Sequence, residues 1–326
     1  MFAVIPLLIG IAEGQVTIGV LVALGALNVL LVQAPRPGKT PYVVLALAVG
    51  ANSAAWAAGT AVGTTSGPLE WTLLGVGVFV IMLAKRYTLF NQLALITAVM
   101  YVVSAGLPGG WSVVLPHALL ILVGGAWGLF GALLPIWARW IERPLPATAH
   151  LSPSERMPVV TTVSFSFAVA ATVALGYGTA VSLGLPRDYW VMLTILAALR
   201  PEFAGTFSIA LMRSVGTVAG ATAVIGLTLA APNVWVLAAV IVVAAALTFA
   251  VRGVSYLLYA VFLTIYLVVL LALAYHGGPA FAVDRVVDTV IGCGFAIAGA
   301  LGLTAWKSRM GVRLRPPVAS VPSHAV

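Results

Sequence analysis

Apolar runs broken by Pro, Gly and charge recur along the chain near residues 2–12, 16–33, 41–63, 69–84, 87–107, 112–137, 158–184, 186–199, 205–230, 233–250, 253–275 and 283–305. Each reads as a membrane span, which predicts an all-α polytopic membrane protein with about 12 transmembrane helices. Two runs depart from the pattern. Phe2–Ala12 would be only about 17 Å long as a helix, short of a bilayer core of roughly 30 Å, so the first helix is either partial or re-entrant, or the reading frame begins upstream of Met1. The run from Tyr189 to Leu199 is also short, because Pro201 lacks an N–H and disfavours helix at Arg200.

The longest polar gap, residues 139–157, divides the runs six and six and reads as a cytoplasmic linker. It separates a first six-span module (1–138, with the short first helix) from a second (158–306), which is followed by a basic disordered tail (307–326). The halves align weakly. Residues 86–103 laid on 252–269, an offset of 166, match Ala94 to Ala260 and Val102-Val103 to Val268-Val269. At an offset of 168, Gly124 falls on Gly292 and Gly131-Ala132-Leu133 on Gly299-Ala300-Leu301. Duplication of an even number of spans predicts two parallel six-helix repeats with a central cleft between them.

Composition narrows the class. With 62% hydrophobic and 7% charged residues and a mean hydropathy of +1.13, the chain has no room for a separate soluble enzyme domain. The net charge of +8 is a matter of topology rather than of nucleic-acid binding. With the N-terminus inside, all but three of the 16 Lys and Arg fall at cytoplasmic ends. Arg187 and Arg285 lie at outer ends and Arg213 lies within a span, so both termini are cytoplasmic. The single Cys293 excludes an internal disulfide or a cysteine zinc site.

No phosphate-binding loop, H-E-x-x-H or G-x-S-x-G motif is present, which argues against an enzyme, a metal site or any cofactor. Chemistry must therefore reside within the bilayer. Arg213 lies about two turns into its span, where a charge facing lipid costs several kcal/mol, so it should face the interior. Gly216 and Gly220 leave its face bare for a bound anion; the alternative is a pair with Glu202 plus small-residue helix packing. Arg200, beside the interrupted helix, is either a second anion contact or an ordinary topology-setting arginine. Tyr189 and Trp190 offer a flat surface beside these arginines, and Thr194 follows on the same helix. Asp288 is the deepest acidic residue and the candidate proton carrier, with Arg285 three residues before it as its tuner or as a locked salt bridge. His117, which falls on Arg285 at the repeat offset, is either a proton relay or an interfacial residue. Asn28 and Asn52 need interior partners.

The stretches Tyr189-Trp190-Val191 through Arg200-Pro201-Glu202, Arg213-Ser-Val-Gly-Thr-Val-Ala-Gly220, and Arg285-x-x-Asp288-Thr289-x-x-Gly292 resemble the membrane module of the fusaric acid resistance (FUSC) proteins, the aromatic acid exporter family. The resemblance covers about residues 155–306. It is weaker over 1–137, where Ala23–Ala26, Gly59–Gly63 and Gly124 carry it. Larger family members have cytoplasmic domains after each module, where this chain has only a linker and a tail. The resemblance implies a multi-pass protein of the bacterial inner membrane that exports small organic anions, aromatic or amphipathic carboxylic acids, by proton antiport. Arg200, Arg213, Tyr189, Trp190 and Thr194 would contact the anion, and Asp288, Arg285 and His117 would couple protons. The partners are then lipid, substrate and protons, with room for a homo-oligomer or an accessory periplasmic partner. A passive anion channel and a non-transporting membrane scaffold are the alternatives.

Overall fold

The computed structural model describes residues 2–32, 40–87, 90–107, 109–134, 157–230, 233–251, 253–275 and 280–309. The expected linker and tail lie almost wholly outside them, as does Arg252. A short 3-10 turn, Phe2–Val4, leads into α1 (Ile5–Ala12), α2 (Val16–Leu31), α3 (Thr40–Val62), α4 (Pro68–Leu83), α5 (Asn91–Ala105) and α6 (Trp111–Leu133). Six more helices follow: α7 (Val159–Ser182), α8 (Tyr189–Ala198), α9 (Phe203–Ala230), α10 (Val234–Val251), α11 (Tyr256–Tyr275) and α12 (Ala280–Arg309).

A helix thus stands at each of the twelve expected positions, but twelve spans in two six-span repeats is not what the structure supports. Among the described residues, seven helices are long and apolar enough to cross a membrane: Val43–Val62, Pro68–Arg86, Trp111–Leu133, Val159–Ser182, Phe203–Ala230, Val234–Val251 and Ala280–Arg309. Within α11 the apolar stretch is Tyr256–Leu270, and Phe2–Ala12, Val16–Leu31, Asn91–Ala105 and Tyr189–Ala198 are apolar but too short. The reason is rise: a 10-residue helix such as α8 advances about 15 Å, half the hydrocarbon core. What the two parts of the chain share is pairing order. In the first, α2 and α3 pack on α6 and α3 on α5; in the second, α8 and α9 pack on α12 and α9 on α11.

Sequence explains the local breaks. Gly184, at φ +66°, ends α7 in the left-handed conformation that glycine adopts most easily, and Gly14, at φ +69°, does the same after α1. At the end of α8, Leu199 turns to extended backbone ahead of Arg200-Pro201. The break is held by Thr206, whose Oγ1 accepts the Arg200 N–H at 2.9 Å.

Small residues set the helix spacing. A Cβ on Gly292 would lie 2.7 Å from Thr194 Cβ and 2.8 Å from the Val191 carbonyl, so α12 and α8 touch backbone to backbone there. Gly124 meets α2 at Val22 in the same way, and Gly59 and Gly63 meet α5 at Tyr101 and Ala105. One continuous apolar core joins α2, α3, α5 and α6 to α7, α8, α9 and α12. The outer faces are apolar too: on α6, Leu115, Leu119, Val123 and Phe130 are exposed, a surface suited to lipid rather than water. The chain is a multi-pass membrane protein.

Candidate functional site

A cavity of about 360 Å³ lies where the two parts of the chain meet. Its walls come from α2 (Leu24, Asn28), α3 (Trp56), α5 (Gln92, Val99, Val103), α8, α9 and α11. The α8 contribution is a helical stripe of Tyr189, Trp190, Leu193 and Ala197, continued by Arg200 beyond the helix end. From Tyr189 to Arg200 the stripe covers roughly 16 Å, so the cavity follows the short helix from end to end. Sequence reasoning assigned Tyr189, Trp190, Thr194, Arg200 and Arg213 to one site; the structure brings four of them to this cavity, whereas Thr194 is fully buried against Gly292 and does not line it. It also adds residues that the sequence did not single out: Trp56 from α3, and Tyr256 and Tyr259 from α11. Only the α9–α11 pairing reveals the two tyrosines, which are remote from Arg213 along the chain.

Arg213 is 2% exposed. Its Nη1 is 3.5 Å from the Tyr256 hydroxyl, while Nε and Nη2 have no hydrogen-bond partner. The expected alternative of a pair with Glu202 is not formed: among the described residues the ion pair is Arg187 with Asp284. The space beside Gly216 and Gly220 is not open to a ligand. A Cβ on Gly216 would lie 2.7 Å from Ala260 Cβ, and one on Gly220 2.7 Å from the Val261 carbonyl, so α11 fills that face. The guanidinium is instead reached from the cavity.

Behind the cavity wall lies a second polar group. Arg285 is 1% exposed, with its guanidinium 5.0 Å from the Trp190 ring and with Nε and Nη1 unpartnered. Asp288, one turn later, is equally buried; its Oδ2 has no hydrogen-bond partner, and neither have the hydroxyls of Thr289 and Thr194. Arg285 and Asp288 share a helix face without closing into the locked salt bridge weighed from sequence. Arg213 and Arg285 lie within each other's electrostatic reach, so the interior holds two neighbouring cations against one carboxyl. His117 is half-buried on α6, does not line the cavity, and is not brought to the α12 carboxyls. Asn28 does line it, donating Nδ2 to the Leu24 carbonyl at 2.8 Å, and Asn52 accepts from Thr97 at 3.1 Å. Among the described residues no group of His, Cys, Asp or Glu is placed to hold a metal ion.

The two ends of the site differ in sign. Glu70, Asp188 and Asp284 stand at the starts of α4, α8 and α12, and Asp188 senses the charge of Glu70. Burial, reinforced by Glu70, raises the Asp188 carboxyl to about 6, against a smaller lowering by the Tyr189 N–H. At the opposite ends of the same helices stand Lys85, Arg200 and Lys307. Lys85 senses Arg200, and Lys307 Nζ donates to the Pro201 carbonyl at 3.0 Å. Acid at the starts and base at the ends also complements the helix dipoles.

Residues 160–299 match the family described as fusaric acid resistance protein-like. The inner membrane protein YccS of Escherichia coli (strain K12) is 30% identical over 164 residues, which cover 50% of this chain and 21% of YccS. The uncharacterized protein YhfK of the same organism is 32% identical over 142 residues, 43% of this chain and 20% of YhfK. The chain thus spans about a fifth of the length of these curated relatives. No solved structure matches.

Proposed function

We propose, from the match of residues 160–299 to the fusaric acid resistance protein-like family, that the chain carries small organic anions with an aromatic or amphipathic body across the bacterial inner membrane, through the cavity between its two parts. The observation that supports this reading most is Arg213: a buried guanidinium with two unpartnered nitrogens, on the wall of a cavity rimmed by Trp190, Trp56 and Tyr256. A buried cation without a counter-charge is costly in an apolar interior, and an entering carboxylate removes that cost. The aromatic walls supply stacking area for the body of the ligand. Arg200 draws the anion in at the basic end, Tyr189 and Trp190 bound its path, and Arg285 adds positive potential from behind Trp190. Asp288 carries the proton that drives export, with Arg285 setting its charge balance. YccS, by its name an inner membrane protein, supports the location. The positive-inside rule orients the basic end to the cytoplasm.

Purified protein titrated with benzoate at about pH 7.5, where a carboxylate is ionised, tests the site through the fluorescence of the cavity tryptophans. Arg213→Ala should weaken binding about tenfold or more, the loss of one charge-assisted hydrogen-bond partner. Arg213→Lys should recover part of it. No saturable quenching in the wild type, or equal affinity in Arg213→Ala, would leave a scaffold as the better account.

A further inference from the structure

The acidic end is more than a set of topology markers. Tyr177 on α7 donates its hydroxyl to Glu70 Oε1 on α4, and the same tyrosine senses the charge of Asp188. Asp188 in turn lies within electrostatic reach of Asp288 on α12. Glu70 and Asp188 are half-buried at the helix starts, whereas Asp288 is 1% exposed, so burial deepens along the series. An independent observation sits at the inner terminus: Asp288 Oδ2 is sealed from solvent with no hydrogen-bond partner. A carboxyl oxygen in that setting has an open position for a proton. Arg187, beside this end, pairs with Asp284 and lies against the Phe281 ring at 3.4 Å.

We propose that Glu70 and Asp188 form the outer arm of a proton path that ends on Asp288. The proposal deepens the proton-coupled reading above and rests on it for its purpose, although not for its test. A proton from outside forms an O–H bond on Asp188; that bond breaks as one forms on Asp288, and nothing is oxidised or reduced. The charged and titratable groups around the path are Glu70 on α4, Tyr177 on α7, Arg187 in the loop before α8, and Asp284 and Arg285 on α12, with Arg213 on α9 beyond Arg285. On the α5 side the path is closed by Gly106, where a Cβ would lie 3.1 Å from Asp188 Oδ1. Tyr177 holds Glu70 in position and is a positioning residue. The raised Asp188 carboxyl suits a group that exchanges protons near neutral pH.

The test uses the intact protein in proteoliposomes of defined orientation and needs no substrate. After an external acid jump, time-resolved infrared spectroscopy follows the carboxylic-acid band that Asp288→Asn removes. The band should grow when the acid end faces the jump. It should grow at least about tenfold more slowly in Asp188→Asn, as for loss of a positioned proton donor, and more slowly in Glu70→Gln, while Asp188→Glu restores the rate. If Asp188→Asn does not fold, Glu70→Gln alone decides. An unchanged rate in the neutral variants, a faster response to acid at the basic end, or no band lost in Asp288→Asn would overturn the path. Absent benzoate binding would overturn the transport reading and leave the path standing.

Discussion

Arg213 is readable from sequence as an anomaly, because a guanidinium two turns into an apolar helix needs a reason. Its partners are not readable, since Tyr256 and Tyr259 approach it only through the α9–α11 contact. Gly216 and Gly220 show how spacing misleads. They share its face, but they are small because α11 packs there, not because a ligand does. Asp188 was not a candidate from sequence at all; it stands in a loop, and only folding brings Glu70 beside it. Its raised carboxyl has a consequence for stability. A carboxyl that binds its proton more tightly folded than unfolded stabilises most at low pH and loses that contribution as pH rises from about 4 through about 6. In detergent, the melting temperature of Asp188→Asn should therefore fall less than that of the wild type between those pH values. Parallel curves would show that the group is not perturbed.

At the level of elements, the twelve apolar runs were legible to within a few residues, and so was the interruption of α8, because Pro201 leaves a chemical mark. The number of spans was not. Apolar composition says that a segment is buried in protein or in lipid, without saying which, and helices such as α1, α2, α5 and α8 are too short to cross alone. Close helix approach separates glycines that look alike in sequence. Gly292→Ala should destabilise by about 1–3 kcal/mol through overpacking against Thr194 and Val191. Gly294→Ala, two residues on with nothing within 4 Å, should be neutral or gain up to about 1 kcal/mol from helix propensity. Thermal unfolding of both variants in the same detergent checks the pair. Equal effects would mean that α8 and α12 are not in backbone contact.

For the whole molecule, the alignment of α4, α8 and α12 turns scattered charges into two poles, with Glu70, Asp188 and Asp284 at one and Lys85, Arg200 and Lys307 at the other. The positive-inside rule then predicts sidedness. In a Cys293→Ser background, Ser66→Cys, exposed before α4, should react with an impermeant maleimide added outside intact cells. Ser308→Cys, exposed near the end of α12, should react only after permeabilisation. The reverse pattern would invert the direction assigned to export. The cavity between the poles is bounded by both parts of the chain, so neither alone forms the site. The measurement closest to the central claim is counterflow of radiolabelled benzoate into proteoliposomes preloaded with unlabelled benzoate, corrected for protein-free vesicles. The wild type should accumulate label transiently, and Arg213→Ala, folded to a similar melting temperature, should lose most of it. Wild-type uptake no greater than that of empty vesicles, or undiminished uptake in Arg213→Ala, would contradict an anion path through this cavity.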